Sequence, residues 1–303
     1  MRRIRTTIRA LIGATVIAGG MAVLTPAAQA DTIPVACSEN ALVEAVTLAN
    51  STSAADTLVL AGGCTYSMTS SHGSAANGQE ALPVITTPIE MIGPATITRA
   101  SGQSFRIAEV STTGDLTLTT EVALTNGRAA GHGGGILNFG AVTLTGSSLS
   151  GNTATGNGGG LANADTPSGT APAATFTNSP VSNNTAGLYG GGIYNGQRGT
   201  LTVTGVSGSP LIITGNTVTG RTLLGLLGRG GRGGGIAAVD STATTLTETA
   251  VTVNHAAGGL LAPPTAGGVY RQGGTMTTTN SPISANTPNN CVGSSPAVPD
   301  CTG

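Results

Sequence analysis

The chain of 303 residues contains 48 glycines but only three phenylalanines, four tyrosines and no tryptophan, too little aromatic bulk for an ordinary globular core of this length. Low bulk of this kind leaves disorder or a repeat solenoid. Once the four arginines of the N-terminal leader are set aside, eight arginines face thirteen acidic residues, a net of −5 with no lysine, which excludes a basic nucleic-acid or anionic-membrane surface.

Residues 1–30 read as a signal peptide. Arg2, Arg3, Arg5 and Arg9 form the basic start, ALIGATVIAGGMAVL the apolar middle, and Ala28 to Ala30 a small-x-small cleavage site. The mature chain is expected to begin at Asp31, exported to the extracellular space, with no further membrane-spanning run. Cysteines of an exported chain are expected to pair. Sequence alone allows three pairings, of which Cys37 with Cys64 and Cys291 with Cys301 is the most local. No zinc spacing links these cysteines to His72, His132 or His255, and no metal or cofactor is expected.

Residues 31–70 are expected to cap the fold. CSENALVEAVTLAN reads as a short amphipathic helix with Ser38 or Asn40 as N-cap and Leu42, Val43, Val46 and Leu48 as apolar positions. TLVL follows as a strand. An open solenoid end exposes core and unpaired edges, so a helical lid is the natural solution. LPVITTPIEMIGPATITRA and FRIAEV then supply the first, less regular coils.

From residue 71 to 290 the chain repeats itself, with 291–303 left as a tail. The triplet GGG followed by an aliphatic residue occurs at Gly133 to Ile136, Gly158 to Leu161, Gly190 to Ile193 and Gly233 to Ile236, with AGGV at Ala266 to Val269. Between the triplets runs Thr-x-Thr, followed seven residues later by an asparagine: Asn126, Asn152, Asn184, Asn254 and Asn286. Asn216 joins them if GVSGSP is a five-residue insertion. The middle positions Leu118, Leu144, Phe176, Val203, Leu246 and Thr278, apolar in all but the last, alternate with threonines, as in a half-buried strand. Ala123, Leu149, Val181, Ile213, Val251 and Ile283, three residues before each asparagine, supply a second inward position, and the aliphatic after the glycines a third. Three inward positions separated by turns predict one coil of a three-faced parallel β-helix, stacked at about 4.8 Å per coil. The six asparagines are predicted to form a ladder of stacked amides, with a partial second column at Asn138, Asn163 and Asn195. The glycines are expected to supply positive φ at the next corner and close coil-to-coil approach.

These stretches, with LTNG, GGGIxN and SxxxxNTA, resemble secreted bacterial proteins built as right-handed parallel β-helices. The repeats are similar to the polymorphic outer membrane protein repeats of autotransporter-type adhesins, marked by GGAI and FxxN. Here FTNS, Phe176 to Ser179, is the one good FxxN, and other coils carry Leu, Val or Thr in place of Phe. The resemblance spans Cys37 to Cys291, and no translocator barrel is expected after it. It implies an all-β, right-handed, pectin-lyase-like solenoid, displayed for adhesion or another interaction, with no defined chemistry.

Enzymes on such scaffolds that cleave polysaccharides need two or three carboxylates converging on one face. Of Asp31, Asp56, Asp115, Asp165, Asp240 and Asp300, only Asp165 and Asp240 occupy similar places, two coils or about 10 Å apart, with Arg198 between them. Aspartates in such loops ordinarily form turns. A polysaccharide lyase or hydrolase is therefore the alternative reading. A further alternative is ice binding, since the Thr-x-Thr face resembles the flat threonine arrays of antifreeze proteins. Two insertions leave the same corner of consecutive coils and bring together Leu223, Leu224, Leu226, Leu227, Leu260 and Leu261, with Arg221, Arg229 and Arg232 around them. An apolar patch rimmed by charge marks an interaction site. The leading expectation is an exported, non-enzymatic, adhesin-like or cell-envelope protein, its partner a cell-wall or extracellular glycan or a protein surface. N-terminal sequencing of the protein secreted by an expressing bacterium is expected to start at Asp31; a product retaining Met1 contradicts the signal-peptide reading.

Overall fold

The computed structural model describes residues 29–164, 169–220, 230–258, 263 and 265–303, so the signal peptide lies outside the described residues up to position 28. The chain forms a parallel β-helix in which, from Asp115–Thr119 onward, a full coil crosses four sheets in turn. One coil runs through Ala141–Thr145 in the first sheet, Ser148–Ser150 in the second, Thr153–Ala154 in the third and Leu161–Asn163 in the fourth. Every strand pair within these sheets is parallel, and the register is one to one. Sequence periodicity predicted three faces. The additional one consists of two-residue strands such as Thr153–Ala154 and Thr185–Ala186, too short to show alternation. Thr32–Val35, Asp56–Leu60 and Cys64–Met68 already pair with the stack, so the solenoid begins inside the segment read as a cap.

Alternation fills the interior. Val142, Leu144, Leu149 and Leu161 point inward from one coil, Ala174, Phe176, Val181 and Ile193 from the next, and Leu201, Val203, Ile213 and Ile236 from the one after, in one continuous buried cluster. Burial of each larger side chain contributes about 1.5–3 kcal/mol. That gain exists only because neighbouring coils close the column above and below.

The predicted helix spans Glu39–Ala49, with Ser38 as its N-cap accepting from Ala41 N at 3.2 Å. Leu42, Ala45, Val46 and Ala49 form its buried face, whereas Leu48, expected to be apolar packing, is 56% exposed. Glu39 anchors the helix start to the next loop by accepting from Thr69 N at 3.0 Å and Ser70 N at 3.1 Å, with His72 Nε2 at 2.8 Å. Burial opposes ionisation of this carboxyl, but hydrogen bonds from Thr69, His72 and Ser70 outweigh it and hold the group down at about 2. Disulfides join Cys37 to Cys64 and Cys291 to Cys301.

Asn152, Asn184, Asn216, Asn254 and Asn286 stand in a buried column. From Asn184 onward each Oδ1 accepts from both the backbone N–H and the Nδ2 of the asparagine one coil before it, at 2.9 and 3.1 Å from Asn152 to Asn184 and at 3.0 Å for both from Asn184 to Asn216. The column ends on Asn290, whose Oδ1 accepts from Asn286 Nδ2 at 3.1 Å. Asn126, expected to be a rung, is not one. Its coil carries one extra residue at the corner, where Thr120 and Glu121 both take positive φ and the next coil uses Gly146 alone. Thr125 therefore pairs with Ser150, and Asn126 lies exposed beside Gly151 at φ 59°. Gly127 takes the ladder position and donates its N–H to Asn152 Oδ1 at 2.8 Å. The second column links Asn138 to Asn163 at 2.7 Å and Asn163 to Asn195 at 2.8 Å. Where Ala238 interrupts it, Asn195 Nδ2 donates instead to the buried Thr244 hydroxyl at 3.0 Å.

The glycine triplet has two separate causes. Gly158 turns at φ 65°, and a Cβ there would collide with the Leu161 carbonyl; a Cβ on Gly159 would collide with the Gly191 carbonyl of the next coil. Replacing Asn184 by alanine strands buried donors of Asn152 and a buried carbonyl of Leu149, and should lower stability by at least about 2 kcal/mol. Asn126→Gly keeps the left-handed backbone and should change stability by less than about 0.5 kcal/mol. Urea unfolding of the two variants tests this, and equal losses would contradict the one-residue offset.

Candidate functional site

The fourth sheet builds a trough along the coil axis. Its strands Ala108–Val110, Ile136–Asn138, Leu161–Asn163, Ile193–Asn195, Ile236–Val239 and Val269–Gln272 alternate, so the residue after each first position points outward. Registered coil on coil, that outward column reads Glu109, Leu137, Ala162, Tyr194, Ala237 and Tyr270. A second column, the residue just before each glycine triplet, runs along one side as His132, Asn157, Tyr189, Arg232 and Thr265, linked through Gly133 N to Asn157 O, Gly158 N to Tyr189 O and the Tyr189, Arg232 and Thr265 bridges. Phe139 and Ala164 border the other side. Sequence reading passed over this wall because its members share a place but no chemistry.

Between the rungs of Leu137 and Tyr194 the trough opens into a cleft of about 490 Å³, lined by Asn77, Gly131, His132, Leu137, Phe139, Asn157, Ala164, Tyr194 and Gln197. His132 Nδ1 accepts from Asn157 N at 3.0 Å, so the neutral ring carries its proton on Nε2. Asn157 Oδ1 is buried with no hydrogen-bond partner in the protein. Burial, then the nearby Tyr189 and Asp240, push the Tyr194 phenol up to about 12 against the opposing effect of a side-chain hydrogen bond with Asn157, so it stays protonated.

The later rungs are filled. The Tyr189 ring lies 6.2 Å from Tyr194 and 6.1 Å from Tyr270, and the Arg232 guanidinium lies 5.9 Å from the Tyr189 ring and 5.2 Å from the Tyr270 ring. Arg232 Nη1 also donates to the Tyr270 hydroxyl at 2.9 Å. Arg232 was expected on the rim of an exposed apolar patch. It is packed among tyrosines, where the ring faces attract its charge. The remaining residues of that expected patch, Arg221, Leu223, Leu224, Leu226, Leu227, Arg229, Leu260 and Leu261, lie outside the described residues, as does Asp165. Asp240 occupies a left-handed turn at φ 50°, its carbonyl accepting from Arg198 N at 3.2 Å.

A hairpin of Gly73–Ala75 and Gly78–Glu80 closes the near end, with Asn77 in its turn. It is fastened by a buried ion cluster that sequence reading did not identify. Arg106, 1% exposed, donates from Nη1 to Glu80 Oε1 at 2.5 Å and to Glu109 Oε2 at 3.0 Å, and from Nη2 to Asn77 O at 2.7 Å. Asn77 Nδ2 completes the tie to Glu109 Oε1 at 3.1 Å. Its only signal in the sequence was three charged residues in a chain with few. Among the described residues no set of three His, Cys, Asp or Glu gathers as a metal site, and no helix is long and apolar enough to cross a membrane.

No protein-family model matches the chain, and searches of the curated proteins and of the solved structures gave no match.

The raised Tyr194 value has a signed consequence. Between its ordinary 10 and about 12, the folded state keeps a proton that the unfolded state releases. Its contribution to stability is complete below pH 10 and is lost as pH rises through that window, by about 2–3 kcal/mol. Urea unfolding at successive pH values should show this slope reduced by that amount in Tyr194→Phe; an unchanged slope contradicts the assignment.

Proposed function

We propose that the protein is an extracellular, non-enzymatic binding protein that holds an uncharged, polyhydroxylated chain, such as a cell-envelope glycan, in the cleft of the fourth sheet. The observation that carries this reading is the chemistry of the lining. Amide and imidazole groups of Asn77, Asn157, Gln197 and His132 surround the rings of Tyr194 and Phe139, and among the described residues no carboxylate or guanidinium lines the cleft. Amides and a phenol exchange hydrogen bonds with hydroxyls, while aromatic rings take the apolar faces of sugar rings. The unpartnered Asn157 Oδ1 adds an acceptor at the wall. Hydrolysis or elimination needs converging carboxylates. Glu80 and Glu109, beside the hairpin that closes the cleft, are instead held by Arg106. Two disulfides fit an exported protein, and an adhesin-like or envelope-associated role follows from holding a glycan without cleaving it.

The secreted chain should retain neutral glycans on an array of envelope polysaccharides, with no new reducing ends or unsaturated products appearing. Asn157→Ala and Tyr194→Ala should each weaken retention about tenfold or more, as expected from losing a polar or stacking contact worth 1–3 kcal/mol. Sugar release, or retention indifferent to both substitutions, would overturn the reading.

A further inference from the structure

The outward side of the first sheet takes no part in the cleft, yet it is the most regular surface of the molecule. Thr117, Thr143, Thr175, Thr202, Thr245 and Thr277 pair one to one along it, and Thr119, Thr145, Thr177, Thr204, Thr247 and Thr279 do the same two residues further along each strand. No bulge or slip interrupts either column. The steps are about 4.8 Å from coil to coil and about 6.7 Å along a strand. The result is a two-dimensional lattice of hydroxyl and methyl groups.

Strand preference alone does not account for it. Threonine suits any exposed strand, but the second sheet, under the same preference, carries it throughout in neither of its outward columns: one includes Ala123, Ser148, Ile212 and Ala250, and the other mixes threonine with serine as Thr125, Ser150, Ser182, Thr214, Thr252 and Ser284. The threonine columns carry no charge over these six coils; Glu90, in register with Thr117, marks their border. Among the described residues, protein hydrogen bonds from these hydroxyls are confined to Thr119 with Glu90 at 3.2 Å and Thr277 with Thr245 at 3.3 Å. The other hydroxyls are left to solvent, on side chains that β-branching keeps stiff.

A periodic face gains most from a periodic partner, because every coil then makes the same contact, whereas an irregular surface matches one or two. A mineral surface calls for fixed charge, which these columns lack. A crystalline polysaccharide calls for aromatic platforms, and the columns have none. A second copy would bury rows of hydroxyls against hydroxyls with few acceptors geometrically available, at a cost for each one left unpaired. Ordered water meets each requirement. It offers donors and acceptors at every hydroxyl, leaves room for methyls, and repeats at distances of this size in hexagonal ice. Waters held along stiff, evenly spaced hydroxyls are ordered before they meet the crystal, which lowers the entropic cost of immobilising them. We propose that the threonine face of the first sheet adsorbs to the surface of ice. This is independent of the cleft and of any glycan.

Growth of single ice crystals in solutions of the secreted chain tests it. Faceted crystals and a gap between melting and freezing are expected. The double variant Thr175→Tyr with Thr202→Tyr, at the centre of the face, should abolish both while leaving the thermal unfolding midpoint unchanged. Thr252→Tyr on the second sheet and Asn157→Ala in the cleft should retain them. Smooth, disc-shaped crystals with the unsubstituted chain would overturn the proposal, as would faceting that survives the double variant. Pelleting with crystalline cellulose or chitin, or a dimer in sedimentation that the double variant splits, without any effect on ice, would assign the face to those partners instead.

Discussion

The side-chain amide of each ladder asparagine, bonded both to the backbone and to the side chain of its neighbour, is the interaction on which the rest of the molecule depends. Asn184 Oδ1 takes two donors from Asn152, and Asn184 Nδ2 reaches back to Leu149 O at 3.1 Å and on to Asn216 Oδ1 at 3.0 Å. A single such bond contributes about 1 kcal/mol net, but a buried amide that loses its partner costs more than that. The column therefore works chiefly as a register lock. A coil that slipped by one residue would strand several buried polar groups at once and turn its apolar side chains outward.

Register is what turns a repeated sequence into two differently built faces. With coils fixed one to one, threonines of the first sheet fall into lines, and so do unrelated residues such as His132, Asn157, Tyr189 and Arg232 beside the fourth. The first face is uniform and solvated. The second is varied, partly filled by stacked tyrosines and open between Leu137 and Tyr194. Charge is scarce throughout, and three charged groups are used internally, where Glu80, Arg106 and Glu109 fasten the hairpin that ends the cleft. What remains for a ligand is amide, imidazole, phenol and hydroxyl chemistry, which favours neutral partners.

Much of the scaffold was legible in the sequence, because a solenoid writes its periodicity along the chain. Thr-x-Thr, the glycine triplets and the recurring asparagine marked the strands, the close approaches and the ladder. Counting failed at Asn126, where one extra corner residue, invisible without the backbone, moved Gly127 into the column. It also failed for Thr153–Ala154 and its counterparts, whose strands are shorter than one period of alternation. The cleft was not legible. Its wall residues differ in type from coil to coil, and the hairpin and Arg106 cluster depend on contacts between positions some 26 residues apart, without a local pattern. Of the apolar patch that sequence reading favoured, the one described member, Arg232, is drawn into the tyrosine stack.

The exchange of asparagine side-chain amide protons with solvent reports on the ladder itself. For Asn152, Asn184, Asn216 and Asn254, buried and bonded from coil to coil, Nδ2 protons should exchange only when the whole stack opens, at a rate that tracks global unfolding. The Asn126 side chain, exposed in its turn, should exchange far faster. Equal and rapid exchange at all five positions would mean that the coils are not locked in register by buried amides, and the trough and the threonine lattice would lose their common foundation.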